Sequence, residues 1–411
     1  MKILSISNMD IWPFGKNKGI PSVSASQIGF ADLGHEVYFS CPLKRKGLPA
    51  EEEMEGVHIR RYRLPFGLSS LSVYNLPMDK LGNRIKSSMI YNLEWFFVQI
   101  FGFFHGITLA LRIRPDLIYA HSTTAAFPAF LISRLCKAKF VIRVYGIKDM
   151  STFNTWGRLR AIRDIAAFKL AADYFIVTND GTGGYALLKD LGVKEEKIKN
   201  WRNGIDISIS DPVPQAKQKV CAQLGIPESS RIILSLSRFI PIYGVDNLVL
   251  SLPELFKKHE DIVCVIAGSG PDKSKLEAIV NEAGIASRVF FLGTVDHEQV
   301  KRLLYAADMY VFLPRIHNCT NTMWEAISCG VCILTTETES IKEVLISGEN
   351  CVLISYQRIK ELPQVLDSLF NDDEQMRKLG ENALKRSQEV LESWPDRIKK
   401  EAELLEELVK K

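Results

Sequence analysis

The chain lacks the charge excess of a dedicated nucleic-acid binder: 52 Lys and Arg stand against 48 Asp and Glu, a net charge of +4 over 411 residues. A dedicated nucleic-acid binder concentrates its cations on one stripe. There is also no apolar leader with a cleavage site. Met1 to Ile6 opens directly into an alternating strand, so secretion is not expected and the working chain is expected to start at Met1. Cys329 and Cys332 form a Cys-x-x-Cys pair, but no second pair and no nearby histidine ligand accompany it. The remaining cysteines are scattered, mostly in apolar runs such as IVCVIAG around Cys264. This argues against a disulfide scaffold or a zinc ribbon and for reduced core residues of a cytosolic protein. No internal repeat and no low-complexity tract is found, which excludes solenoid and disordered architectures.

What is present is an ordinary globular composition, 46% hydrophobic and 24% charged, long enough for two or three domains. The charge is uneven. Up to Ile205 there are 28 basic and 17 acidic residues, net +11, and the remainder carries −7. A basic half suits an anionic surface or acceptor. The one membrane candidate, Trp95 to Ile113, is about 19 residues and just long enough to span. Gln99, His105, Thr108, two glycines and Arg112 weaken it. It reads as a core helix, and Arg84 and Lys86 upstream keep interfacial docking open without spanning.

Short apolar runs alternate with helical segments: KILSIS, HEVYFSC, DLIYAH, FVIRVYG and YFIVTN in the first half, then RIILSLS, IVCVIAG, VFFLG, MYVFLP and VCILTT. That rhythm predicts βα units and buried parallel sheets. PVPQAKQK, residues 212–219, interrupts it, so two doubly wound domains are expected. The boundaries are 1–205, 206–390 and a C-terminal helix, 391–411, whose apolar face at Ile398, Leu404, Leu405 and Leu408 is expected to cross back onto the first domain. Ligands of such sheets bind outside the carboxyl ends of the strands.

The most specific stretch is Tyr310 to Thr336, YVFLPRIHNCTNTMWEAISCGVCILTT. With SRFIPIYG at 237–244, AGSGP at 267–271, LGHEV at 33–37 and NGID at 203–206, it resembles the GT-B fold glycosyltransferases of family 4 through nearly the whole chain. The resemblance implies an α/β GT-B fold, two Rossmann-like doubly wound domains facing a central cleft. It also implies retaining, metal-independent transfer from a nucleotide-diphosphate sugar, expected to be a UDP-sugar, to a glycan or lipid-linked acceptor. No cofactor and no nucleic acid are implied. A cytoplasmic enzyme in peripheral contact with an anionic membrane is expected. The rivals are a nucleotide-sugar-binding subunit without turnover and a nucleotide-sugar epimerase.

Glu325 matches the family's second motif glutamate, and a carboxylate there can accept both ribose hydroxyl protons. Backbone N–H groups of Thr320, Asn321 and Thr322 are expected to face the diphosphate. The family's first glutamate, which touches the donor sugar, is His317 here, with Asn318 and Asn321 supplying amides. Arg238 matches the family's diphosphate arginine, but its lysine five residues on is Tyr243, and Arg315 is the nearest substitute cation. Gly268 and Gly270 are expected to let the backbone approach a ligand, Val295 to flank the base, and Gly19 to lie by the donor phosphate. Tyr145 stands where the family has a sugar-contacting residue, and His121 ends a strand beside the cleft. Arg238, His317, Tyr145 and His121 are the expected catalytic residues.

Overall fold

The computed structural model describes residues 1–9, 21–44, 47–68, 81–146, 155–206, 211–316 and 319–411. The chain divides into two compact units, Met1–Gly204 with Glu392–Lys411, and Ile205–Leu391.

The first unit is built on eight strands: β1 (Lys2–Ser7), β2 (Glu36–Pro42), β3 (Glu51–Met54), β4 (Val57–Tyr62), β5 (Leu117–His121), β6 (Lys139–Val144), β7 (Tyr174–Thr178) and β8 (Ile198–Trp201). Their order is β3-β4-β2-β1-β5-β6-β7-β8, parallel except for β3. Central strands such as β5 are buried along their whole length, because helices cover both faces of a parallel sheet. The strand order reverses between β1 and β5, which pair in parallel.

The second unit has six parallel strands: β9 (Arg231–Leu236), β10 (Ile262–Ala267), β11 (Val289–Gly293), β12 (Met309–Phe312), β13 (Cys332–Thr336) and β14 (Val352–Ile354), ordered β11-β10-β9-β12-β13-β14. Its reversal falls between β9 and β12, and such switch points are where open α/β sheets hold ligands.

The C-terminal helix Trp394–Lys410, capped by Ser393, buries Ile398, Ala402, Leu405 and Leu408 against Ile3, Phe30 and Val37 of the first unit. A Cβ on Gly29 would come within 2.8 Å of Ile398, so glycine lets this helix lie close against the helix Pro21–Asp32.

The expected core helix is not one. It runs from Leu81 to Ile113, 33 residues, and only 28% of its most apolar window is buried. Val98, Leu109 and Ala110 face the domain, and Gly106 meets Ile6 and Ile132. Met89, Leu93, Phe96, Ile100, Phe104 and Leu111 are exposed at three-, four- and seven-residue spacings, which is one helical stripe. It is the one described helix long and apolar enough to cross a membrane.

Candidate functional site

In the second unit the chain leaves β9 into Ser237-Arg238-Phe239 and enters a single 3₁₀ turn, Pro241–Tyr243. Tyr243 is buried, tilted against Phe312 at the end of β12 with ring centroids 5.8 Å apart. Exposed Arg238 donates from Nη2 to the Tyr243 hydroxyl at 2.5 Å, with its guanidinium 5.1 Å from the ring centre. Because Tyr243 accepts that bond, its own proton remains to be given to another acceptor. Where the family has two cations, this site has an arginine braced by a phenol.

The loop after β12 closes on the same place. The N–H of Arg315 donates to Ile242 O at 2.8 Å. Its guanidinium binds Asp246 Oδ2 at 2.7 Å, the Tyr356 hydroxyl at 2.8 Å and Pro241 O. The expectation that Arg315 replaces the missing lysine is therefore corrected: its charge is already paired with Asp246, and its fork is spent on the turn that holds Tyr243.

The helix Asn321–Cys329 begins here with Thr320 as N-cap. Thr322 Oγ1 donates to Leu236 O at 3.4 Å and lies 2.9 Å from Thr320 Oγ1, while Tyr310 reaches both Leu236 O and Thr322. Those hydroxyls pin the helix start to the end of β9, two residues before Arg238. Both threonine side chains thus serve packing, and what the helix offers an anion is its N-terminal backbone. Asn321 opens the helix half-buried. His317 and Asn318 lie outside the described residues, as does Gly19.

Glu325, in the second turn of this helix, has a largely buried side chain. Burial pushes its carboxyl up, His297 pulls it back down, and Asp206 adds to the rise. His297 Nδ1 is 3.7 Å from Glu325 Oε1, and its Nε2 is 3.3 Å from Asp206 Oδ2. Neither His297 nor a side-chain partner for Asp206 follows from local pattern. The only sequence signal is a histidine opening a helix two residues after Val295, which is itself half-buried against the core.

Gly268 and Gly270 have φ of 146° and 159°. A Cβ on Gly268 would sit 1.8 Å from Ser237 O, and one on Gly270 2.4 Å from Phe239 O. Part of the backbone they admit is the protein's own: the glycines stitch the AGSGP turn to the Arg238 loop, with Ser237 N–H donating to Ala267 O and Phe239 N–H to Ser269 O. Placing Arg238 is their contribution.

In the first unit, His121 is fully buried. Ser5 donates to Gln27 Oε1 at 2.7 Å, Gln27 Nε2 is 3.1 Å from His121 Nε2, and His121 Nδ1 is 2.7 Å from the Tyr145 hydroxyl. With the amide so oriented, Gln27 donates to Nε2, and the single proton of the neutral ring sits on Nδ1 and goes to Tyr145. Burial, with the charge of Arg143 nearby, pushes the imidazole down to about 3. Both nitrogens of His121, expected to be catalytic, are taken within the protein, and the ring props Tyr145. Tyr145 is half-buried with its oxygen turned toward His121, and burial pushes its phenol up.

The basic first half has cationic clusters at residues 44–46 and 60–63, and these are partly spent. Lys44 pairs with Glu94, Arg60 with Glu51 at 3.3 Å and Arg61 with Glu52 at 2.9 Å, and only Arg63 of these is exposed; Arg45 and Lys46 lie outside the described residues. All eight cysteines are free, and burial pushes the Cys329 and Cys332 thiols up to about 12, far from reactive thiolates. Among the described residues no group of three or more His, Cys, Asp or Glu is placed to hold a metal ion.

Residues 28–209 match the family described as Glycosyltransferase Family 4, and residues 216–386 match Glycosyl transferases group 1. A phosphatidylinositol N-acetylglucosaminyltransferase subunit of Saccharomyces cerevisiae is 26% identical over 332 residues, covering 76% of this chain and 70% of that protein. The alpha-D-kanosaminyltransferase of Streptomyces kanamyceticus is 20% identical over 364 residues, covering 81% and 91%. In fold, the sucrose-phosphate synthase of Thermosynechococcus elongatus superposes with a TM-score of 0.75 at 17% identity, covering 99% of both chains. Anabaena HepE in complex with UDP-glucose gives 0.73 at 18% identity, covering 99% of this chain and 100% of that one. In both halves of its sequence and over nearly the whole of its fold, the chain resembles a GT-B glycosyltransferase of the group 1 and family 4 kind.

Proposed function

We propose that this protein is a retaining, metal-independent glycosyltransferase that takes a sugar from a UDP-sugar. The observation that carries the reading is the convergence of Arg238, Tyr243 and the Glu325 helix at the β9/β12 switch point, in the half that matches the group 1 family. Glu325 holds the ribose, the helix N-terminus faces the diphosphate, and Arg238 with Tyr243 receives the charge that grows on the leaving group. Such a site works by position and electrostatics without a covalent nucleophile. Retention is carried by the family resemblance, and UDP by the nucleotide bound to Anabaena HepE.

Glu325→Ala should weaken UDP-sugar binding by about 1.5 to 3 kcal/mol while the fold survives. Calorimetry that returns an unchanged affinity removes Glu325 from the site. Donor assays without acceptor then decide the reaction: slow release of nucleotide marks a transferase, and interconversion of sugars an epimerase. Binding without turnover marks a non-catalytic subunit, the reading favoured by Tyr243 in place of the diphosphate lysine.

The acceptor in this reading is a lipid-linked saccharide or surface glycan met at the cytoplasmic face of a membrane. Support comes from the exposed stripe Met89 to Leu111, from exposed Leu131 and Leu135 on the adjoining helix Ala126–Cys136, and from exposed Lys86, Arg112, Arg114, Arg134 and Lys137 around them. Each cation near an anionic leaflet contributes about 1 kcal/mol, fading over a Debye length of about 8 Å at physiological salt. The protein should co-sediment with anionic vesicles better than with neutral ones at low salt, and Phe96→Ser with Phe104→Ser should abolish the binding. Equal partition to both vesicles would point to a soluble acceptor.

A further inference from the structure

His297 lies within the residues that match the group 1 family but outside the segments that carry Arg238 and Glu325, and its place is fixed by a helix cap. It is the first residue of the helix His297–Ala306, whose N-cap Asp296 accepts from the Gln299 N–H while Gln299 accepts from the Asp296 N–H. That reciprocal cap sets the direction in which the helix starts. The ring stands between two carboxylates from different parts of the fold: Asp206, next to the start of the second unit, and Glu325, on the helix after β12. Carboxylates that share a partly dry site oppose each other's ionisation. The imidazole stands between them with one nitrogen towards each, 3.3 Å from Asp206 Oδ2 and 3.7 Å from Glu325 Oε1, within ion-pair range.

We propose that His297 is a positioning residue of the nucleotide site: anchored by Asp206, it holds the Glu325 carboxylate aimed at the ribose hydroxyls of a nucleoside diphosphate. The inference rests on the reading of Glu325 as the ribose ligand. His297 itself touches no part of the donor. A carboxylate free to rotate would forfeit the paired geometry that two vicinal hydroxyls require. His297, placed beside it, restricts that rotation. Asp206 fixes the far nitrogen, as an outer partner fixes the ring of a ligating histidine at a metal centre.

The test compares a nucleoside diphosphate with its 2′-deoxy counterpart by calorimetry, using whichever of UDP, GDP and ADP the wild-type protein binds most tightly. The wild type should prefer the ribose form, and Glu325→Ala should abolish the preference. His297→Ala should lower affinity for the ribose form about tenfold, because the carboxylate loses the ring that holds its orientation, and leave the deoxy form nearly unchanged. Asp206→Asn should move both in the same sense by less. His297→Gln keeps the volume and one donor and should recover part of the preference, and thermal melts of all variants report folding. If Glu325→Ala loses the preference while His297→Ala and His297→Gln keep it, the positioning role is wrong and the Glu325 reading stands. An equal loss for both nucleotides in the His297 variants makes the residue structural only. A preference untouched by Glu325→Ala, or no binding of any of the three, overturns the ribose reading and this inference with it.

Discussion

Glu401→Ala should cost about 3 to 5 kcal/mol of stability, the largest single loss expected in the chain, because it strips the counterion from two buried guanidiniums. Arg143 Nη1 and Arg397 Nη1 both lie 2.8 Å from Glu401 Oε2, and Tyr119 donates to Oε1 at 2.5 Å. The side chains of all three charged residues are 0 to 1% exposed. Burial pushes the Glu401 carboxyl up, but Arg143, Arg397 and the Tyr119 hydroxyl outweigh it and hold it below the usual carboxylate range. Its folded value lies below its unfolded one, so the stabilisation is complete above about pH 4.5 and is lost as pH falls through the folded value. Urea denaturation at neutral pH measures the loss, and a value under about 1 kcal/mol would show the charges relaxed or hydrated after all. Replacing the triad together, Arg143→Met with Glu401→Leu and Arg397→Met, should recover much of it, since the penalty is an uncompensated charge and not a missing attraction. Two of the three groups sit on the C-terminal helix, and Arg143 also donates to Asn203 at 3.1 Å. The same cluster therefore seats that helix and holds the NGID segment.

Arg238→Ala should lower turnover about a hundredfold to a thousandfold with a much smaller change in donor affinity, the expected cost of removing one donor aimed at charge that develops in the transition state. The reasoning is local. Arg315 is committed to Asp246, and in the proposed reading Arg238 is the cation aimed at the leaving diphosphate. Arg238→Lys should recover only part, because a point charge lacks the planar fork that binds two oxygens. Tyr243→Phe should fall between wild type and Arg238→Ala: it takes away the brace and one proton but leaves the charge. The measurements are kcat and KM for the donor under saturating acceptor. A loss under tenfold for Arg238→Ala would place the leaving-group stabilisation elsewhere. A lysine in place of Tyr243 should be poorly tolerated, because that side chain is buried. Its ammonium would enter a closed position beside Arg238, with no anion present until donor binds.

The α/β plan was legible in the chain itself because strands buried on both faces must be continuous apolar runs, as KILSIS and IVCVIAG are. Glu51–Met54 escaped that reading. It carries three glutamates, alternates exposed with half-buried residues, and becomes a strand only by pairing antiparallel with Val57–Arg60 at the sheet edge. EAISCG, SRF and AGSGP were readable as site segments, since helix starts and tight turns leave local signatures. What those side chains do was not. His121 meets Gln27 across 94 residues and Arg143 meets Glu401 across 258, and Arg315 reaches back to Asp246. Charge and hydrogen-bond capacity belong to a residue, but whether they are spent within the protein or kept for a ligand depends on what the fold sets beside it. The long helix shows the same division. Composition determined that Leu81–Ile113 would be apolar, and only packing decided which stripe lies on the sheet and which faces outward, because the hydrophobic effect rewards burial without naming the partner.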